Sequence, residues 1–261
     1  MKKYLYLMLF VSGYAVAHEP YIAPLAYVTQ STQVPVLAGY AEEALQSEFA
    51  LKNNQLEVLL PNNEKLQLDA VSNSKATTVF DLELKQAGTY TLQTKASFPF
   101  NYVNVNKAWH LYFKADANRV PPKAQRDFYI PADFKTEPKT TNITREWSVV
   151  SYVTKDKIST PQIALTPIVL NFSIHPNQLT HNQALVLSLS KDKQAFTNAE
   201  VHLRKKGMTD KQAIAVQVDT LGRATIQFPA AGEYLIEVAE KFDAKQPPRN
   251  QVMTIASVNV N

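Results

Sequence analysis

The chain has 261 residues, no cysteine and a formal net charge of +4. Without cysteine it forms no disulfide, holds no metal through thiolate and carries no acyl-cysteine lipid anchor. Lysine and arginine are spread along the chain, so we expect no nucleic-acid partner, and 45% apolar with 19% charged residues is typical of a folded protein.

Residues 1–17 have the order of a signal peptide. Lys2 and Lys3 precede an apolar run over residues 4–11, which leads to the small residues Ala15-Val16-Ala17. The run is shorter than the roughly 20 residues that span a bilayer, and no later stretch approaches that length. We therefore predict cleavage after Ala17 and a mature protein that is periplasmic or secreted and does not span the membrane.

The first part of the mature chain has the patterning of short strands. Residues 21–36 alternate proline with β-branched and aromatic residues, which favours extended structure with breaks. Residues 42–51 could form one short helix. Residues 56–69 alternate on both sides of the turn Pro61-Asn62-Asn63-Glu64 and predict a hairpin, and residues 77–84 predict a further strand.

An Ala-Gly turn followed by a strand led by tyrosine occurs twice. The first copy contains Gly88-Thr89-Tyr90 and the second contains Gly232-Glu233-Tyr234. Both glycines suit a turn position with positive φ, and both tyrosines suit the last strand of a sandwich, where the hydroxyl finds a backbone partner. The repeat predicts two β-sandwiches.

The segment between the two copies, residues 106–161, is irregular. Pro121-Pro122, Pro131 and Pro138 exclude one long uninterrupted element. Residues 145–153 nevertheless alternate as a strand, so we predict a folded insertion of the first domain rather than a loose linker.

The last part of the chain contains further strand patterns separated by turns. They cover residues 168–174, 185–189, 200–203, 213–218, 224–228, 234–238 and 253–260. This spacing is typical of antiparallel sandwiches. We therefore predict an all-β fold of two immunoglobulin-like antiparallel β-sandwich domains, residues 18–162 and 163–261.

Cleavage after Ala17 makes His18 the first residue of the mature chain. The free α-amine and the imidazole of a terminal histidine can chelate one divalent transition metal, such as copper, nickel or cobalt. Pro20, third in the mature chain, has no amide proton and is not histidine, which excludes a square-planar site formed by the amino terminus alone. Further ligands must come from elsewhere in the fold.

Other histidines are candidates for those ligands. His110 lies in a strand pattern on the face opposite Trp109 and Leu111, although a solvent-facing histidine explains this position as well. His175 and His181 flank a turn-like segment and could converge on one ion, but loop polarity accounts for them equally. We interpret His202 as a sheet histidine with satisfied hydrogen bonds.

Known catalytic patterns are missing from the sequence. It contains no Gly-x-Ser-x-Gly, no His-Glu-x-x-His, no Gly-rich phosphate loop and no cysteine nucleophile. Four aromatic residues could form a sugar-stacking surface, although aromatics at strand spacing more often belong to a core. They are Tyr102, Trp109, Tyr112 and Tyr129.

The stretch from His18 to Pro24, with the sequence His-Glu-Pro-Tyr-Ile-Ala-Pro, resembles the start of mature NikM-like periplasmic proteins, domain of unknown function family 4198. The resemblance continues in residues 87–92, 198–201, 219–225 and 231–234. It implies a periplasmic protein linked to nickel or cobalt uptake, with His18 as a ligand. A second resemblance, to copper proteins with an amino-terminal histidine brace, implies at least one further histidine, for which His110 is the candidate.

We therefore expect a non-enzymatic, metal-binding accessory protein that works with a membrane transporter or an outer-membrane receptor. Its candidate ligands are His18, His110, His175 and His181. One alternative is a copper-dependent oxidase acting on polysaccharide through His18 and His110. Another is a metal-free interaction or scaffold module.

Overall fold

A computed structural model describes residues 19–52 and 55–261 of the chain. The predicted signal peptide and His18 lie outside the described residues. The described part contains β-strands and short 3-10 turns and no α-helix, which confirms the predicted all-β fold class.

The strands, in chain order, are β1 (Glu19–Pro24), β2 (Val28–Thr29), β3 (Gln33–Ala41), β4 (Phe49–Ala50), β5 (Leu56–Leu59), β6 (Lys65–Leu68), β7 (Ser72–Asn73), β8 (Thr78–Glu83), β9 (Gly88–Val105), β10 (Ala108–Tyr112), β11 (Thr140–Lys155), β12 (Ile168–Phe172), β13 (Leu185–Lys191), β14 (Gln194–Ala195), β15 (Ala199–Lys205), β16 (Ile214–Val216), β17 (Arg223–Ile226), β18 (Gly232–Glu240) and β19 (Gln251–Val260). The 3-10 turns are Ala117–Arg119, Lys123–Gln125, Pro131–Asp133, Pro176–Gln178 and Asp210–Gln212.

The strands form three sheets. The first has the order β1-β3-β8-β7, with β4 also on β3. The central sheet has the order β16-β15-β18-β19-β11-β9-β5-β6, with β10 on β9 and β2 on β11. The third has the order β12-β13-β14, with β17 on β13.

The central sheet is shared by two sandwiches, because side chains alternate between its faces. One face, with Trp147 and Ile255, packs into a core with the first sheet. The opposite face, with Val150 and Ala256, packs into a second core with the third sheet. The two predicted sandwiches are therefore present, and they share the central sheet. The boundary between residues 162 and 163 stays a prediction.

Two strand pairings depart from the expected antiparallel arrangement. β11 pairs in parallel with β19, from Arg145 opposite Gln251 to Ser151 opposite Ser257. β2 also pairs in parallel with β11. The β11–β19 pairing joins the two predicted domains, residues 18–162 and 163–261, within the central sheet.

Tyr90 and Tyr234 both form the predicted tyrosine corner, in which the hydroxyl bonds to a backbone group of the preceding turn. The hydroxyl of Tyr90 donates to the carbonyl of Gln86 at 2.9 Å, and the hydroxyl of Tyr234 donates to the carbonyl of Ala230 at 2.7 Å. Gly88 and Gly232 have φ angles of 136° and 135°, in the region that favours glycine. The internal repeat in the sequence therefore corresponds to the same turn geometry in both sandwiches.

The predicted helix over residues 42–51 is wrong. Leu45 has a φ angle of 61°, which breaks a right-handed helix. The segment instead docks on the turn after β15, where the amide of Ala44 donates to the carbonyl of Met208 at 2.9 Å and the amide of Gly207 donates to the carbonyl of Ala44 at 3.0 Å. Ala44 and Leu45 are buried in the first core, so tertiary packing overrides helix propensity.

The remaining strand predictions are confirmed. β5 and β6 form the expected hairpin, closed by a hydrogen bond of 2.8 Å from the amide of Leu60 to the carbonyl of Glu64. The alternating residues 145–153 lie within β11. Each strand expected after residue 163 has a counterpart between β12 and β19.

We expect Tyr90→Phe and Tyr234→Phe each to lower the free energy of unfolding by about 1 kcal/mol, because each removes a hydroxyl that satisfies a turn carbonyl. Urea unfolding of the mature protein measures the loss. Tyr40→Phe is the matched control, since the structure gives the hydroxyl of Tyr40 no side-chain hydrogen bond among the described residues. Equal effects at all three tyrosines would contradict the role of the two corners.

Candidate functional site

A cavity of about 590 Å³ lies on the face of the central sheet that packs towards the first sheet. Its floor comes from neighbouring strands whose register places side chains on one face: His202 of β15 is opposite Glu237 of β18, and Arg145 of β11 is opposite Gln251 of β19. The parallel β11–β19 pairing therefore brings strands of both predicted domains into this floor.

The walls of the cavity come from β1, β10 and residues 121–138, which we call the proline-rich segment. They include Glu19, His110, Asp127 and Tyr129. The ring centroids of His110 and Tyr129 lie 5.2 Å apart in an edge-to-face contact. The amino-terminal strand and the proline-rich segment thus meet over one sheet surface.

An ion pair holds the proline-rich segment in place. Arg126 donates from both terminal nitrogens to Asp133, at 2.8 and 2.7 Å, and the amide of Ile130 also donates to Asp133 at 2.8 Å. The hydrogen bonds from Arg126 hold the pKa of Asp133 below its usual value. The amide of Tyr129 also donates to the carbonyl of Leu111 in β10 at 2.8 Å, which joins the segment to the cavity wall.

Next to the cavity floor, on the same face of the central sheet, lies a fully buried guanidinium. Arg204, which is 0% exposed, donates to Glu237 at 2.7 Å and to the backbone carbonyl of Glu42 at 3.0 Å. It also donates to Glu19 and to Asp210. One side chain of β15 thus holds β1, β18 and the turn after β15.

Burial raises the pKa of Glu237 well above its usual value, and the neighbouring negative charge of Glu19 raises it further. Arg204 supplies one positive charge to the carboxyl groups of Glu19, Asp210 and Glu237. A proton on Glu237 reduces the remaining negative charge, which is costly to bury. Burial and the charge of Glu19 therefore both favour the protonated form of Glu237.

Two histidines line this cavity. Burial lowers the pKa of His110, and the charge of Lys123 lowers it further. Burial also lowers the pKa of His202, although the negative charge of Glu19 acts in the opposite direction and raises it. Both imidazoles are therefore neutral near pH 7, the form that binds metal ions.

The structure places His175 and His181 away from the cavity lining. Nδ1 of His175 accepts from the amide of Asn177 at 3.1 Å, which leaves the proton on Nε2, 3.0 Å from the carbonyl of Ser159. Nδ1 of His181 lies 3.0 Å from the backbone oxygen of Asn261. The two rings therefore have separate structural partners, and neither lines the cavity.

Within residues 19–52 and 55–261, no group of three or more His, Asp or Glu side chains could hold a metal ion by themselves. A metal site in this cavity would therefore need a ligand from outside the described residues. His18 directly precedes Glu19 in the sequence.

Sequence reasoning assigned His202 to the sheet alone and did not single out Glu19, Arg204 or Glu237 as a group. The available signal was the alternation Glu200, His202, Arg204 within one strand, which places three polar side chains on one face. The aromatic prediction was partly informative, because Tyr102, Trp109 and Tyr129 line the cavity and Tyr112 does not. Tyr102 and Tyr112 are both buried, at 2% exposure.

A family model described as "Domain of unknown function (DUF4198)" matches residues 15–241. The chain belongs to this family. Membership of DUF4198 confirms the family expected from the sequence, whereas the resemblances to NikM-like proteins and to histidine-brace copper proteins are not confirmed. No curated protein matches this DUF4198 chain.

Three solved structures are similar to the DUF4198 chain at low sequence identity. A tetra-tandem repeat from the extending region of a large adhesion protein is 8% identical, with a TM-score of 0.24, and the match covers 94% of this chain and 50% of that one. The D0-D1 domain of intimin is 11% identical, with a TM-score of 0.23 and coverage of 92% and 96%. The BSP domain of a biofilm-associated protein is 12% identical, with a TM-score of 0.20 and coverage of 92% and 30%.

The DUF4198 chain thus spans half the length of the first of these chains. TM-scores this low carry no argument about function. Among the described residues, no helix combines the length and the apolar character that crossing a membrane requires.

We expect Arg204→Leu to lower the free energy of unfolding by about 3–5 kcal/mol, because it leaves buried carboxyl groups without their partner. Glu237→Gln should cost about 1 kcal/mol or less, since the amide oxygen accepts from Arg204 and the amide nitrogen donates to Glu19 as a protonated carboxyl does. Urea unfolding compares the two variants.

Arg223→Leu is the matched control, because it removes an exposed ion pair of 2.8 Å with Asp219. An exposed pair contributes about 0–1 kcal/mol. A loss from Arg204→Leu no larger than that from Arg223→Leu, or a loss of several kcal/mol from Glu237→Gln, would contradict this account of the cluster.

Proposed function

We propose that the protein is a non-enzymatic, transition-metal-binding accessory protein of the periplasm. It captures a divalent ion, nickel, cobalt or copper, and passes it to a membrane transporter or an outer-membrane receptor. His18 of the mature chain is the primary ligand. The observation that carries the proposal is that Glu19, bonded to His18, lines the same cavity as His110 and His202.

Chain connectivity supports this arrangement. Glu19, which lines the cavity wall, is the residue that follows His18 in the sequence. Pro20 is part of β1 and excludes a site made by the amino terminus alone. The ion would therefore be held between the terminal chelate and His110 or His202.

The neutral histidines of the cavity support a metal ion as the ligand. Burial lowers the pKa of both His110 and His202. Several carboxyl groups of the lining are already paired: Glu19, Asp210 and Glu237 with Arg204, and Glu240 with Lys191 and Arg249. The imidazole nitrogens, rather than the net charge of the lining, therefore support the proposal.

One observation favours a second candidate function, a copper-dependent oxidase acting on polysaccharide. Tyr102, Trp109 and Tyr129 line the same cavity as His110, and aromatic faces stack on sugar rings. This candidate requires His18 and His110 on one copper ion. Oxidation of polysaccharide by the copper-loaded protein would favour it over the accessory role.

We expect mature protein that begins at His18 to bind nickel, cobalt or copper in titration calorimetry, and an added alanine before His18 to abolish the chelate. The affinity should fall by more than the roughly 10–100-fold that loss of an outer-shell partner costs. Replacing both His110 and His202 by alanine should also weaken binding.

His181→Ala is the control and should bind as the unaltered protein does. Unchanged affinity of the alanine-extended protein would contradict the ligand role of His18. Protein purified from the periplasm without stoichiometric metal, together with no binding in calorimetry, would favour the metal-free scaffold.

A further inference from the structure

A second cavity, of about 630 Å³, lies beside β12 in the third sheet. The strand residues from Val169 to Phe172 form one side, and residues 158–164 of the segment between β11 and β12 form another. No lining residue is shared with the first cavity. We call this second cavity the β12 groove.

One edge of β12 faces the groove with unpaired backbone groups. β12 pairs with β13, and the carbonyl of Ile168 points away from β13, because it accepts the hydroxyls of Thr166 at 2.6 Å and Thr254 at 2.8 Å. In an antiparallel strand, each residue directs its N–H and its C=O to the same side of the strand. Successive residues alternate between the two sides, so residues two apart face the same way. Leu170 and Phe172 therefore also direct their backbone groups away from β13.

Hydrogen bonds on the other side of the ladder agree with this assignment. Ser173 follows Phe172 and therefore faces the other side of the strand, towards β13. Its amide donates to the carbonyl of Val186 at 3.0 Å. Leu189, opposite Leu170, uses its amide and carbonyl with Gly222 at 2.8 Å and Phe196 at 2.9 Å. The structure gives the outward backbone groups of Leu170 and Phe172 no partner among the described residues.

The chemistry of the groove excludes a charged ligand. Its lining contains no Asp, Glu, Lys or Arg. Burial lowers the pKa of His175, so this ring, whose nitrogens are already hydrogen-bonded, adds no charge near pH 7. The rim includes two exposed apolar side chains, Ile163 at 65% and Ile158 at 40%, beside uncharged polar residues such as Gln162.

We propose that the β12 groove binds an extended, uncharged segment of a partner protein, which adds to the free edge of β12 as a strand. A strand is the ligand whose N–H and C=O groups repeat every two residues, at about 6.6–6.8 Å, and so match Leu170 and Phe172 together. Residues 158–164 form another side of the same groove. The proposal does not depend on metal binding.

The probe is a capped hexapeptide that alternates valine and threonine, added to isotope-labelled mature protein. We expect the amide resonances of Leu170 and Phe172 to shift in NMR spectra, as they do when an amide gains a hydrogen bond. The same peptide with every backbone N–H methylated has no amide donor on either edge, cannot pair with β12 and should lose at least tenfold in affinity.

Ile163→Lys places a charge on the groove rim at an exposed position and should weaken peptide binding at least tenfold. Leu221→Lys is the matched control, because Leu221 is 60% exposed and lies outside the groove lining. Its affinity should be unchanged.

Three results would overturn the proposal. The first is the absence of shifts at Leu170 and Phe172 with unmethylated peptide at millimolar concentration. The second is equal binding of the methylated and the unmethylated peptide, which would indicate a site for apolar groups without strand pairing. The third is the same shifts on raising the protein concentration without peptide, which would identify a second copy of this chain as the occupant.

Discussion

The buried guanidinium of Arg204 is the interaction on which the arrangement of the site depends. It contacts carboxyl groups from β1, β18 and the turn after β15, together with the carbonyl of Glu42. Removing one partner from a buried charged cluster costs several kcal/mol, so the segments that carry these groups stay together. The amino-terminal strand is thereby fixed to the carboxy-terminal half of the chain, with Glu19 at the wall of the cavity.

The local elements of the fold could be predicted because they depend on local patterns. Alternation marked most strands, and the repeated Ala-Gly turn before Tyr90 and Tyr234 marked the two sandwich corners. The parallel pairing of β11 with β19 could not be predicted, because a two-residue period does not specify the partner of a strand. The helix over residues 42–51 failed for a related reason: Ala44 bonds to a turn distant in sequence.

The candidate site was predictable by residue type but not by location. His110 lines the cavity, as a candidate ligand should, whereas His175 and His181 were grouped because they are close in sequence, and the fold gives each ring its own backbone partner. His202 was missed because its neighbours Val201 and Leu203 belong to the core on one face of the strand. Its own face became informative only when Glu237 of β18 was placed opposite it.

Anomalous diffraction from crystals of metal-loaded mature protein tests the central claim most directly. Data collected at the absorption edge of bound nickel or copper locate the ion without reference to any assumed ligand. The account predicts one peak in the cavity beside Glu19, about 2.0–2.1 Å from an imidazole nitrogen of His110 or His202. A peak at His175 or His181, or a fully loaded crystal without a peak in this cavity, would contradict it.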